Sequence, residues 1–483
     1  MLLQLTIAIL AGIACGRPAC WSIGQPVNTS SGPVIGHGAD WKPEVSEYLG
    51  VPYAEPPVGE LRFAAPKPFK GNKSITATTF GSSCPENIGG PASTMTDVDE
   101  DCLTLNIWTK PQVGEKSKAV MIWIYGGGFG SGRSSTPLYN GARLADEHDV
   151  VVVSVNYRVN IYGFPRAPFI PDLNPGLLDQ RSGVEWVRDN IAQFGGDPKR
   201  IVLFGQSAGG GSVDMYSFAY PQDPIVYGLI SQSGVAANSV GPPQNTSSAW
   251  WESSRSLGCG GIEAGKSTLA CMRSKSWQEI TDSVPRRGVS ANIGAGGFGP
   301  TLDNKTVLPD YNGRRAKGIF AKIPMLVGNT NYEKGFYEDL ARQRNETLPA
   351  TYRPPELDGC GTHAAALSYR NAGINAWRYL YAGTWGNDTA PGAGHGAEIA
   401  LVMGTIDHPT RNNSTPEEAK LSLRLRRAWT AFAKDPVNGL VKLGWPLYDE
   451  NSEDPTLIRL GGRNSARIVY EPRSKYDRCP SSP

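Results

Sequence analysis

The sequence predicts an α/β fold: a doubly wound, mostly parallel central sheet with helical and loop insertions over one end. Three observations predict it. Residues 119–125 and 150–155 are short, continuously apolar runs of the kind found in strands buried on both faces. A helical stretch, 141–148, separates them. The same alternation resumes further along, which is how a parallel sheet with crossover helices is written in sequence.

Taken in order, the strand at 119–125 ends at Tyr125 and runs into Gly126-Gly127-Gly128-Phe129. The strand at 150–155 follows, then a helix at 183–193 and a strand at 200–204. A turn rich in glycine leads on, and later strands are expected at 323–327 and 377–381. Residues 235–297, rich in Gly, Ser and Asn, break the rhythm and are expected to form an insertion capping the sheet.

Composition bounds the function. Of 483 residues, 40% are hydrophobic and 19% charged, enough apolar material for a large core and unlike a disordered chain. The net charge of +2 comes without a Lys/Arg block, so neither nucleic acid nor an anionic membrane is the expected partner. A small molecule is. The first 14 residues are an apolar run followed by Ala14-Cys15-Gly16, which predicts a signal peptide over 1–16, an exported protein, and one domain over 17–483. No later segment is apolar and long enough to insert stably in a bilayer. Cys84 with Cys102 and Cys259 with Cys271 are closely spaced pairs without histidine neighbours, a spacing that suits disulfide loops better than zinc. Sequons at Asn28, Asn72, Asn245, Asn304, Asn345, Asn387, Asn412 and Asn413 agree with export.

The strand at 200–204 leads directly into Gly205-Gln206-Ser207-Ala208-Gly209. Small residues flank the serine because the chain must turn sharply there to hold Oγ exposed at the start of a helix, the arrangement of an activated nucleophile. Isolated, the pattern is weak; behind a strand it is much stronger. The glycine triplet after Tyr125 offers bare N–H groups for an oxyanion, so Gly127 and Gly128, with Ala208 as third donor, are the expected oxyanion hole. A general base must follow Ser207 in the order serine, acid, histidine. Of His363, His395 and His408, the first opens an expected surface helix and the last precedes proline in a polar stretch. His395, in a glycine-rich loop after a late strand, is the expected base. Glu333, just past the strand at 323–327, is the expected acid, and Asp339 the weaker alternative.

Further motifs occur in order: Tyr48-Leu-Gly-Val-Pro-Tyr-Ala-Glu-Pro-Pro-Val-Gly59, Glu100-Asp-Cys-Leu-Thr-Leu-Asn-Ile-Trp108, the Gly126 loop, Val155-Asn-Tyr-Arg158, Phe194-Gly-Gly-Asp-Pro198 and the Ser207 turn. On these the chain resembles the type-B carboxylesterase/cholinesterase family, most closely its fungal secreted carboxylesterases, over nearly the whole mature chain. The resemblance implies an α/β-hydrolase fold and a serine carboxylic ester hydrolase with Ser207, Glu333 and His395 as triad, needing no metal or organic cofactor. It also implies disulfides Cys84–Cys102, Cys259–Cys271 and Cys360–Cys479, leaving Cys20 without an evident partner.

Two departures bear on substrate. Gln206 stands where cholinesterases carry glutamate, and Lys334 follows the acid where many members have no lysine. The loop between Cys84 and Cys102, which in cholinesterases holds the tryptophan that receives a quaternary ammonium, contains no aromatic residue. Neutral esters are therefore the expected substrates. The same triad also serves acyl transfer to alcohols and lactone formation or opening. Non-enzymatic adhesion homologues lack the serine that this chain keeps.

Overall fold

The computed structural model describes residues 21–86, 96–110, 117–239, 247–285, 297–343, 345–348, 359–385, 391–408, 414–477 and 479. The leader, Cys20, residues 87–95 of the disulfide loop and the sequons at Asn245, Asn387, Asn412 and Asn413 lie outside the described residues.

The core is an 11-stranded sheet. Its strands in chain order are β1 (His37–Ala39), β2 (Lys42–Pro52), β3 (Thr104–Thr109), β4 (Lys118–Ile124), β5 (Val151–Val155), β6 (Gly196–Gln206), β7 (Gly228–Gln232), β8 (Met325–Thr330), β9 (Ala376–Tyr381), β10 (Leu457–Leu460) and β11 (Val469–Glu471). In space they run β11-β10-β9-β8-β7-β6-β4-β5-β3-β2-β1. Strands β4 to β10 are mutually parallel, and the two margins of the sheet are antiparallel. The parallel strands are buried along their length because helices cover both faces, which is why they are nearly continuous runs of Val, Ile, Leu and Met.

The helices used below are α1 (Ala142–His148), α2 (Pro175–Asn190), α3 (Ala208–Ala219), α4 (Ser248–Ser256), α5 (Ser267–Ser274), α6 (Trp277–Ser283), α7 (Lys334–Gln343), α8 (Cys360–Asn371) and α9 (Pro416–Lys434). Helix α1 matches the expected span. Helix α2 begins well before the expected 183: Pro175, with φ already set for a first turn, opens it, and Asn174 anchors that end by donating to the Thr301 carbonyl at 2.8 Å. Strand β6 is longer than 200–204 at both ends, and β8 lies a little later than 323–327.

The interruption at 235–297 holds α4, α5 and α6, more helix than its Gly/Ser content suggests. These build a second apolar cluster with Trp250, Met272 and Ile280 against Phe63 and Tyr162. The Arg62 guanidinium joins it to the N-terminal region, pairing with the Glu100 carboxylate (Nε to Oε1 2.6 Å) and donating to the Met272, Arg273 and Lys275 carbonyls. All three expected disulfides are formed: Cys84–Cys102, Cys259–Cys271 and Cys360–Cys479. Among the described residues no helix is long and apolar enough to cross a membrane.

Candidate active site

Strand β5 lies on one side of β4 and β6 on the other, so the chain reverses its direction of winding at β4. Loops leaving the carboxyl ends of β4 and β6 therefore diverge and open a crevice between them, the usual ligand position in such sheets. Those loops carry the glycine triplet and Ser207.

Ser207 sits between β6 and α3 with φ 58° and ψ −125°, a conformation that L-residues rarely adopt. Its N–H donates to the Gln232 carbonyl at 2.8 Å, which ties the turn to the end of β7. The turn is possible only because its neighbours lack side chains. A Cβ on Gly209 would lie 2.1 Å from the Ile124 carbonyl oxygen, and one on Gly126 would lie 2.8 Å from the Ser207 Cβ. Gly127 (φ 124°) and Gly128 (φ 61°) turn the facing loop back beside the serine. Among the described residues, the N–H groups of Gly127, Gly128 and Ala208 donate to no protein acceptor. They remain available to a ligand.

Glu333 follows β8 and is 2% exposed; its Oε1 accepts the Thr330 N–H at 2.7 Å and its Oε2 is in short contact with Nδ1 of His395. The loops bearing the two are laced together. The Tyr332 N–H donates to the Ala393 carbonyl at 3.0 Å, and the Ala393 N–H donates to Oδ1 of Asn331 at 2.8 Å. Gly396, next to His395, lies against the Gln206 side chain, next to Ser207. Acid, base and serine loops thus meet at one place. The Ser207 hydroxyl makes no hydrogen bond among the described residues; a nucleophile-to-base contact often tightens only with substrate.

The other candidates lie elsewhere. His363 is not on a surface helix as expected: α8 buries it at 5% exposure, with Nδ1 2.7 Å from the Tyr448 hydroxyl. Burial, then the charges of Arg473 and Arg378, push its pKa down to about 4. Helix α8 packs against β8 and β9, which turns that face inward. His408 packs edge-on against Trp41, and Asp339 pairs with Arg342 at 2.8 Å on an exposed turn of α7.

The sequence profile described as the carboxylesterase family matches residues 24–353 of this chain. The chain belongs to the carboxylesterase family. It is a carboxylic ester hydrolase of α/β-hydrolase fold. It is similar to a chlorogenic acid esterase of Aspergillus niger, 35% identical over 477 residues, covering 91% of each chain. It is similar to secreted lipase 5 of Gibberella zeae, 35% identical over 511 aligned positions, covering 94% of this chain and 93% of that one. A mouse cholinesterase is 39% identical over 305 residues, covering 60% of this chain and 50% of its own.

Two residues of this candidate site escaped sequence reasoning. Phe336 is 41% exposed with its ring centroid 5.4 Å from that of His395, giving the site an aromatic wall. The signal was present, since Phe336 falls three positions after Glu333, at the start of a helix. Glu398 is fully buried; the Gln232 side chain donates to its Oε1 at 3.1 Å, and the Trp429 indole donates to Gln232 Oε1 at 3.0 Å. Burial, then the charge of Glu333, raises its pKa to about 7. Nothing in sequence separates Glu398 from an ordinary surface glutamate. At the two ends of the disulfide loop, Glu86 is 3% exposed and paired with Arg133 at 2.7 Å, and Glu100 is likewise buried against Arg62, so arginines offset both charges.

Proposed function

We propose that this ester hydrolase acts through Ser207 as nucleophile, His395 as general base and Glu333 as the acid that orients it, with the N–H groups of Gly127, Gly128 and Ala208 as oxyanion hole. The observation that carries the reading is the His395–Glu333 contact, brought by laced loops to the turn that holds Ser207. As Ser207 Oγ attacks the ester carbonyl carbon, its proton passes to Nε2 of His395, and the carbonyl electron pair moves onto oxygen. Nδ1 faces the Glu333 carboxylate, which stabilises the imidazolium so formed. Collapse of the tetrahedral adduct expels the alcohol, protonated by His395, and leaves an acyl-enzyme. Water attacks that ester with His395 again as base, and free acid departs.

The substrates are neutral carboxylic esters, and the aromatic wall at Phe336 suits an ester that carries an aromatic group. Export from the cell as a glycosylated, one-domain protein over 17–483 completes the reading. Its support is the three disulfides, the secreted Gibberella relative and the exposure of the described sequon residues Asn28, Asn72, Asn304 and Asn345.

Steady-state kinetics of variants test the assignment. Ser207→Ala and His395→Ala are each expected to lower kcat on the order of 10⁶-fold, and Glu333→Gln about 10⁴-fold. His363→Ala or His408→Ala, if inactive while His395→Ala turns over, overturns the choice of base.

A further inference from the structure

The loop that carries Gly127 and Gly128 is held at three points. It enters from β4. Its middle is held by the Asn160 N–H, which donates to the Phe129 carbonyl at 2.7 Å. Its exit is held by Glu86. Oε2 of Glu86 accepts the Gly132 N–H at 2.7 Å, and Oε1 accepts from Nη2 of Arg133, also at 2.7 Å.

This exit is in direct contact with the reacting end of the loop. Gly132 has φ 115°, and a Cβ there would lie 2.5 Å from the Gly126 carbonyl oxygen. Gly126 in turn is the residue pressed against Ser207. A contiguous path therefore runs from the Glu86 carboxylate through Gly132 and Gly126 to the serine turn. Glu86 is itself fixed, two residues from the Cys84–Cys102 bridge. Beside it, Asn156 donates to the Ser82 carbonyl at 2.9 Å and accepts the Ser134 N–H at 2.8 Å, so residues 82–86 and 132–134 are joined along their length.

A buried carboxylate near a place where negative charge develops carries an electrostatic cost. Its compensation is strength: an ionised acceptor holds a backbone N–H about twice as firmly as a neutral one. Arg133 offsets the charge.

We propose that Glu86 is a positioning residue for the oxyanion loop, clamping its exit through Gly132 so that the N–H groups of Gly127 and Gly128 stay aimed at the oxyanion, an inference resting on the esterase reading of the site. Glu86 touches no substrate. Its effect is on the geometry of donors whose worth is realised only when the carbonyl oxygen becomes charged. Loss of the clamp lowers kcat and leaves ground-state binding alone.

The test compares wild type with Glu86→Ala and Glu86→Gln in hydrolysis of p-nitrophenyl butyrate and in inhibition by two ketones of one carbon skeleton. An alkyl trifluoromethyl ketone adds the serine oxygen to form a charged tetrahedral adduct; the matching methyl ketone reports ground-state binding. Glu86→Ala is expected to lower kcat roughly 10- to 100-fold and weaken the trifluoromethyl ketone by the same factor, with KM and the methyl ketone within about twofold. Glu86→Gln keeps a neutral acceptor for Gly132 and is expected to recover part of this, losing roughly 3- to 10-fold in both readouts. Should Glu86→Ala not fold, the glutamine variant decides alone. Folded variants within twofold of wild type in kcat and trifluoromethyl ketone affinity overturn the inference, as does an equal loss of both ketones, which marks a general collapse of the pocket. Wild type that forms no adduct at Ser207 overturns the esterase reading itself; active wild type with equally active variants overturns the role of Glu86 alone.

Discussion

Burial, reinforced by the nearby Glu333 charge, raises the pKa of the Glu398 carboxyl from the ordinary 4.5 to about 7. Folding binds this proton more tightly than the unfolded chain does, so the contribution is complete below about pH 4.5 and is lost as pH rises through about 7. Glu398→Gln removes a group that must ionise in the core. Melting curves at pH 5, 6, 7 and 8 are expected to show the variant gaining on wild type as pH rises, while an offset that stays constant across the series contradicts this reading. At this scale the sequence was legible where chemistry and backbone demand coincide. Ser207 needs glycines around it, and His395 and Glu333 stand in loops after strands in the required order. Glu398, Glu86 and the burial of His363 were not legible, because each depends on which side of a segment turns inward, a choice made by packing with distant strands.

Among elements, the parallel strands were legible because continuous apolar runs bounded by loop residues leave few alternatives. Their ends were less so: β6 extends through Gly196 to Gln206 because register with β4, pairing Ile124 with Gly205, carries the ladder past the apolar centre. Helix α6 opens with a capping box between Ser276 and Glu279, a local signal inside a segment whose composition pointed to loop. Glu86 and Glu100 are buried against arginines, so neither draws a cation, and Lys334, one residue from Glu333, pairs with Glu338 at 3.2 Å. Phe336 offers a partly exposed aromatic face, worth about 0.5–1 kcal/mol to a cation at such a site. The enzyme is therefore expected to hydrolyse 3,3-dimethylbutyl butyrate at least as well as butyrylcholine by kcat/KM at physiological ionic strength. A tenfold preference for the choline ester contradicts the expectation, because it exceeds what Phe336 supplies and requires a further aromatic face.

At the scale of the whole molecule, the Cys360–Cys479 bridge closes a 119-residue separation and ties the chain's last described residue to α8. Beside it Arg378 of β9, fully buried, pairs with Asp477 and donates to the Gly359 carbonyl at 3.0 Å, so the tether and the ion pair hold one joint next to β8, the strand that delivers Glu333. Loop entropy puts the bridge at about 5 kcal/mol at most. The double variant Cys360→Ser/Cys479→Ser is expected to melt several degrees lower with kcat/KM nearly unchanged at 25 °C, since the bridge does not touch the crevice; an unchanged melting temperature contradicts that role. Of the many serines in the chain, only Ser207 is expected to attack the ester. Peptide mapping by mass spectrometry after treatment with an alkyl fluorophosphonate tests it most directly. One adduct per chain on the peptide holding Ser207, absent in Ser207→Ala, is the result this account predicts; an inactivated enzyme whose adduct lies on any other residue contradicts it.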